Sequence, residues 1–186
     1  EKAYREQPNL SAAVRYYVNE LFGESGLIVL DADDAQLKAS FRQVMSDDLK
    51  NHTAKKLTDR CSDELEALGY KSQVYPRNIN FFYLDDQLRE RIEKDSDTYK
   101  VLNTDTSFSE EELMQEVENH PEKFSPNVIL RPLYQEMILP NLAYIGGPSE
   151  LAYWLQLKPV FDQYDTAFPI LMPRNFGLVI NKTNAK

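Results

Sequence analysis

Ten residues constrain this chain more than any others. Positions 141–150 read Asn-Leu-Ala-Tyr-Ile-Gly-Gly-Pro-Ser-Glu: an apolar strand, a glycine turn, then a helix start. A strand that turns at once into a helix belongs to layered α/β architecture, with helices packed on a sheet. In open α/β sheets ligands bind beyond the carboxyl ends of the strands. The unpaired N–H groups of a helix N-terminus attract a phosphate or carboxylate. Gly146, Gly147 and Ser149 therefore form a candidate anion site. The alternative is a tight β–α loop that needs glycine only for its turn. The spacing matches neither a dinucleotide fingerprint nor a Walker loop.

The rest of the chain is read around that unit. Asn9 caps a helix carrying Leu10, Ala13, Val14, Tyr17, Val18 and Leu21 on one face. The apolar run 27–30 reads as a buried strand. Asp33 or Asp34 then caps a helix holding Leu37, Phe41, Val44, Met45 and Leu49. A second helix follows, with Ala54, Leu57, Cys61, Leu65 and Leu68 on its stripe. From Tyr70 the pattern changes. Segments 73–75, 79–84 and 99–102 look like strands, with a turn at 95–97. Ser109 and Glu112 form a capping box. Pro132 opens a helix that Pro140 stops, and Pro159 is expected to kink or restart the helix begun at Ser149. Further strands are expected at 168–172 and 176–180.

Charge divides the chain the same way. Residues 81–120 hold twelve Asp/Glu against four Lys/Arg, which is most of the net charge of −9. The expected organisation is α/β: a layered core in 1–69 and 126–186, interrupted by an acidic, solvated α+β insertion at 70–125. The net charge argues against a general nucleic-acid or anionic-membrane binder. No apolar run approaches the ~20 residues of a membrane span, and no signal-peptide pattern is visible. One cysteine excludes an internal disulfide, and with His52 and His120 as the only histidines no Cys/His zinc site is expected. The chain begins at Glu1 without a Met and reads as a piece of a longer protein.

Other candidates carry two readings each. Glu150 either meets an amine or complements the helix dipole. Tyr153, Trp154 and Lys158 either shape a ligand wall or serve as core and solvated surface. Asp31, Asp33 and Asp34 either bind Mg²⁺ or a ribose, or cap the next helix. Arg131, Arg174 and Asn175 either recognise a carboxylate or phosphate or pair locally. Cys61, on an apolar stripe, reads as a buried inert thiol. No residue presents itself as a nucleophile or general base.

The segment from Arg131-Pro132-Leu133-Tyr134-Gln135 through Leu139-Pro140-Asn141-Leu142-Ala143-Tyr144-Ile145-Gly146-Gly147-Pro148 to Glu150-Leu151-Ala152-Tyr153-Trp154 and Leu157-Lys158 resembles the bacillithiol biosynthesis cysteine-adding enzymes. The family pattern is similar to RPLxQ…LPxLAYIGGPGExAYWxxLK, with Ser149 where the family usually has Gly. Pro173-Arg174 resembles a later segment. Leu21-Phe22-Gly23, Gly26-Leu27 and Leu30-Asp31-Ala32-Asp33-Asp34 resemble an earlier one. The resemblance implies a Rossmann-like core with connecting segments, and a cytoplasmic ligase that joins cysteine to the amine of glucosaminyl malate. Amide formation needs an activated carboxylate; ATP or another nucleotide is the natural activator. The family's earlier Gly-His-Gln and Gly-Glu-Asp-His segments are absent, as is its C-terminal coiled coil, used in dimerisation. The chain thus looks like the middle third of such a protein, inactive alone. The implied bets are Gly146, Gly147 and Ser149 as anion donors, Glu150 on the amine, Arg131 and Arg174 on malate carboxylates or phosphate, and Tyr153 and Trp154 as wall. A non-catalytic module docking a basic partner through 81–120, and a nucleotide-binding regulatory domain, are the alternatives.

Overall fold

A computed structural model describes residues 1–85 and 87–177. Helices α1 (Lys2–Glu6) and α2 (Leu10–Phe22) open the chain. Asn9 caps α2 as expected, its Oδ1 accepting the Ala12 N–H at 2.9 Å. The apolar stripe of α2, however, faces solvent: Leu10, Val14, Tyr17 and Leu21 are exposed and only Ala13 is buried. The strand expected at 27–30 does not form, and Leu27, Ile28 and Leu30 are exposed. Those residues have the composition of an interior strand. The Leu27 N–H donates to the Phe22 carbonyl at 3.4 Å, but among the described residues no strand pairs with the segment.

The next helical stretch is broken in two, α3 (Ala35–Ala39) and α4 (Arg42–Asn51), where one helix was expected. Asp34 caps α3 through the N–H groups of Gln36 and Leu37. His52, with φ of 56°, joins α4 to α5 (Thr53–Ala67). The buried face of α5 is Ala54, Thr58 and Ser62, while Leu68 is exposed. Small residues let α5 lie close against the helix that follows the Gly-Gly turn.

The acidic segment folds as an antiparallel sheet. Strands β1 (Phe81–Asp85), β2 (Leu88–Asp95), β3 (Thr98–Val101), β4 (Ser107–Ser109) and β5 (Phe124–Pro126) order as β4-β3-β2-β1-β5. The turn at Ser96 and Asp97 joins β2 to β3, with Ser96 at φ 56°. Phe81, Tyr83, Ile92, Tyr99 and Val101 alternate onto the buried face. Helix α6 (Glu110–Asn119) covers that face with Leu113 and Val117 and begins at the expected capping box. Segment 73–75 is not a strand. Its backbone is held instead by Gln156, whose Oε1 accepts from Gln73 N (2.8 Å) and Val74 N (3.2 Å). The short β4 and β5 carried too few apolar residues to show in the sequence.

Helix α7 (Arg131–Ile138) leads to β6 (Ala143–Gly146), α8 (Pro148–Gln163) and β7 (Ile170–Pro173). Strands β6 and β7 pair in parallel, giving a β–α–β unit. Pro159 does not interrupt α8, which continues to Gln163. A strand at 176–180 falls largely on residues 178–180, outside the described residues; Phe176 and Gly177 form none. One buried cluster joins Phe41 and Met45, the inner sheet face, Leu133, Trp154 and Phe161.

Candidate functional site

The parallel pair fixes the site. β6 and β7 run side by side to Gly146 and Pro173, so the Gly-Gly turn and Arg174 emerge together at their carboxyl ends. The Arg174 N–H donates to the Gly146 carbonyl at 2.9 Å, which ties the two exits. The two glycines serve different needs, and neither has positive φ. A Cβ on Gly146 would lie 2.6 Å from Tyr144 Cε1; glycine there lets the Tyr144 ring stack on Trp154 at 4.0 Å. Gly147 is in ordinary extended backbone, and a Cβ would meet Arg174 Nη2 at 3.1 Å and Glu150 Oε2 at 3.3 Å. The guanidinium and the carboxylate thus close over Gly147.

Glu150 is the centre of this arrangement. Its Oε2 accepts the Gly147 N–H at 2.7 Å and its Oε1 accepts the Tyr144 hydroxyl at 3.2 Å. The Gly147 N–H holds its carboxyl below the usual range, helped by the tyrosine hydroxyl and by the charges of Arg174 and Arg131. The anion expected at the helix N-terminus is therefore supplied by the chain itself. The first-turn N–H groups of Ser149 and Glu150 have no acceptor within the helix. Burial, then the Glu150 charge, push the Tyr144 phenol up.

The chain matches, over residues 1–175, the model of the bacillithiol biosynthesis BshC N-terminal Rossmann-like domain. The chain belongs to the BshC family. A Cytophaga hutchinsonii protein named "Putative cysteine ligase BshC" is 49% identical over 180 residues, 97% of this chain and 34% of its own length. The protein of that name from Flavobacterium johnsoniae is 48% identical over 186 residues, 100% of this chain and 35% of its own. That from Chlorobaculum tepidum is 36% identical over 184 residues, 96% and 32%. The chain spans about a third of the length of these curated relatives. The sequence alone placed it in the middle of such a protein; the matching BshC model is that of the N-terminal Rossmann-like domain.

Within this BshC domain the expected site residues divide. Gly146, Gly147, Ser149, Glu150 and Arg174 come together, and Arg131 is near enough for its charge to act on Glu150. Asn175 follows Arg174 on the exposed exit. Trp154 is fully buried and Tyr153 nearly so; both belong to the core, where Trp154 also meets Phe161 and Phe168. They form no ligand wall. Lys158 lies ten residues into α8, roughly 15 Å along the axis, and its Nζ donates to Asp162 at 2.5 Å. It is a surface pair. The acids 31, 33 and 34 serve turn, ion pair and cap: Asp31 accepts from Asp33 N and Ser11 Oγ, and Asp33 pairs with the buried Lys38. No group of three or more potential metal ligands clusters among the described residues, and no described helix is long and apolar enough to cross a membrane. Tyr144 and its hydroxyl were missed; its position two residues before Gly146, on the same strand face, was the available signal.

Proposed function

We propose that this chain carries the anion- and amine-binding loop of a cysteine-adding, amide-forming ligase. The observation that carries this is Glu150: an ionised carboxylate held by Gly147 and Tyr144 and flanked by Arg174 and Arg131. A carboxylate so fixed orients an amine by accepting its N–H. The two arginines offer the bidentate forks that carboxylates and phosphates prefer. The relatives' name, cysteine ligase, supports the ligase part of this reading. Cysteine and glucosaminyl malate are the substrates this reading assigns, with the glucosamine amine at Glu150 and the malate carboxylates at Arg131 and Arg174. The first-turn N–H groups of Ser149 and Glu150 suit a further anion, such as the phosphate of an activating nucleotide. The setting is cytoplasmic and the whole protein dimeric.

The direct test is Gly147→Val in the intact protein. The backbone there accepts any residue, and the groups a larger side chain meets are the tips of Arg174 and Glu150. Product should be lost with melting unchanged; normal turnover refutes the loop's role. Deleting the parent gene tests the reaction itself. Loss of bacillithiol with accumulation of glucosaminyl malate is expected, and unchanged thiols sink the ligase reading.

A further inference from the structure

The outer face of the antiparallel sheet concentrates arginine. Phe82 sits opposite Arg91, and Leu84 opposite Arg89. Alternation places these four side chains on the face turned away from the core. Two neighbouring segments wall that face, one bringing Tyr75 and Arg77, the other Asn127 and Arg131. Between them lies a groove of about 460 Å³. Four of the chain's nine arginines line it (77, 89, 91 and 131), and no Asp or Glu does. The chain has nine more acids than bases, so this segregation runs against its overall charge. None of the four arginines makes an ion pair among the described residues. Arg89 lies 3.8 Å over the Phe82 ring.

The groove rests on a buried polar scaffold. Arg77 is pinned at both backbone groups by Asn80: its N–H donates to Asn80 Oδ1 at 3.1 Å, and its carbonyl accepts from Asn80 Nδ2 at 2.9 Å. Asn127 on the other wall donates through Nδ2 to Asn80 Oδ1 at 3.0 Å and through its backbone N–H to the Asn80 carbonyl at 2.9 Å. Asn80 is itself fully buried and held by Asp48 at 2.6 and 3.0 Å. Both walls therefore hang on one immobilised residue. Clustered guanidinium groups repel one another, and an anion relieves that cost with forked hydrogen bonds. The volume suits a small molecule. The neighbouring apolar surface of Ile79, Phe82 and Val128 suits its carbon frame.

We propose that this groove binds a small organic polyanion, a phosphate chain or a di- or tricarboxylate, at a site separate from the Gly-Gly-Pro loop and sharing only Arg131 with it. The proposal stands whether or not the ligase reading holds. The test is calorimetric titration of the intact protein with pyrophosphate, ATP and malate at low salt, repeated with Arg89→Gln/Arg91→Gln. Both residues are exposed, so circular dichroism and melting should match the parent. The double variant should weaken binding at least about tenfold and flatten its salt dependence. Arg60→Gln, on a helix surface elsewhere, should change neither. Binding of pyrophosphate and ATP alike identifies a phosphate chain as the ligand; binding of malate alone identifies a carboxylate. The proposal is overturned if no probe binds below 1 mM. It is equally overturned if affinity survives the double variant, which would place the anion at another site such as the Gly-Gly-Pro loop.

Discussion

Asp48 shows how a single residue can set the pH response of this fold. It is fully buried and accepts two hydrogen bonds from Asn80. Burial pushes its carboxyl up to about 7, against those hydrogen bonds and with a push from the Asp47 charge. The sign follows from linkage. The folded chain holds this proton where the unfolded chain, with a carboxyl near 3.8, has released it. Asp48 therefore stabilises least at alkaline pH, and stability falls as pH rises from about 4 through 7. The carboxylates held low, Asp31, Asp47, Glu116 and Glu150, act in the opposite sense but only below about pH 5. Urea unfolding at low protein concentration, followed through Trp154, should show about 2–3 kcal/mol less stability at pH 8 than at pH 5. Asp48→Asn should flatten that slope; an unchanged slope assigns the effect elsewhere. Little of this was legible in the sequence. Glu150 shows because its partner Gly147 is three residues away. Asp48 and Asn80 are 32 apart, and Gln156 is 94 residues from the Ser62 hydroxyl to which its amide donates. Such pairs surface only once the chain has folded.

Among the elements, α8 departs most usefully from expectation. Proline inside a helix removes one N–H, so the carbonyl four residues earlier loses its donor. For Pro159 that carbonyl belongs to Leu155. The Cys61 thiol on α5 donates to it at 3.5 Å, and burial pushes that thiol up, keeping it protonated. The small-residue face of α5 brings Cys61 close enough, so a neighbouring helix compensates the break that the sequence alone led one to expect. Cys61→Ser keeps a donor and should hold stability within about 0.5 kcal/mol. Cys61→Val removes it and should cost about 0.5–1 kcal/mol more than the serine variant. Equal unfolding curves for the two variants exclude the compensation. The same distinction explains what was legible elsewhere. Asn9, Asp34 and Ser109 were readable as caps because a cap is a local contact. Segments 27–30 and 73–75 were misread because strand formation depends on a neighbour that composition does not reveal.

For the whole molecule, the decisive feature is the uneven burial of apolar surface. The α/β character and the strand–loop–helix unit were legible from periodicity and glycine placement. What periodicity could not show is that the amphipathic stripe of α2 finds little to pack against among the described residues. Leu10, Tyr17, Leu21 and Phe22 on α2, Leu27, Ile28 and Leu30 after it, and Ile145, Ile170 and Met172 on the parallel pair are all exposed in this chain. A two-stranded parallel sheet with open edges is a weak unit, and apolar surface on this scale drives association. The chain alone is therefore expected to bind a hydrophobic dye strongly and to elute above the 21.6 kDa of a monomer, increasingly so with concentration. Ile28→Glu with Leu30→Glu should shift elution toward the monomer without lowering helix content, since neither side chain is buried. The same openness bears on activity: β6 and β7 carry the Gly-Gly-Pro loop, so a loosely held pair positions Glu150 and Arg174 poorly. The isolated chain should give no amide product under conditions where the intact protein does. A monomeric, dye-silent chain with measurable turnover would show that the pair is rigid enough by itself.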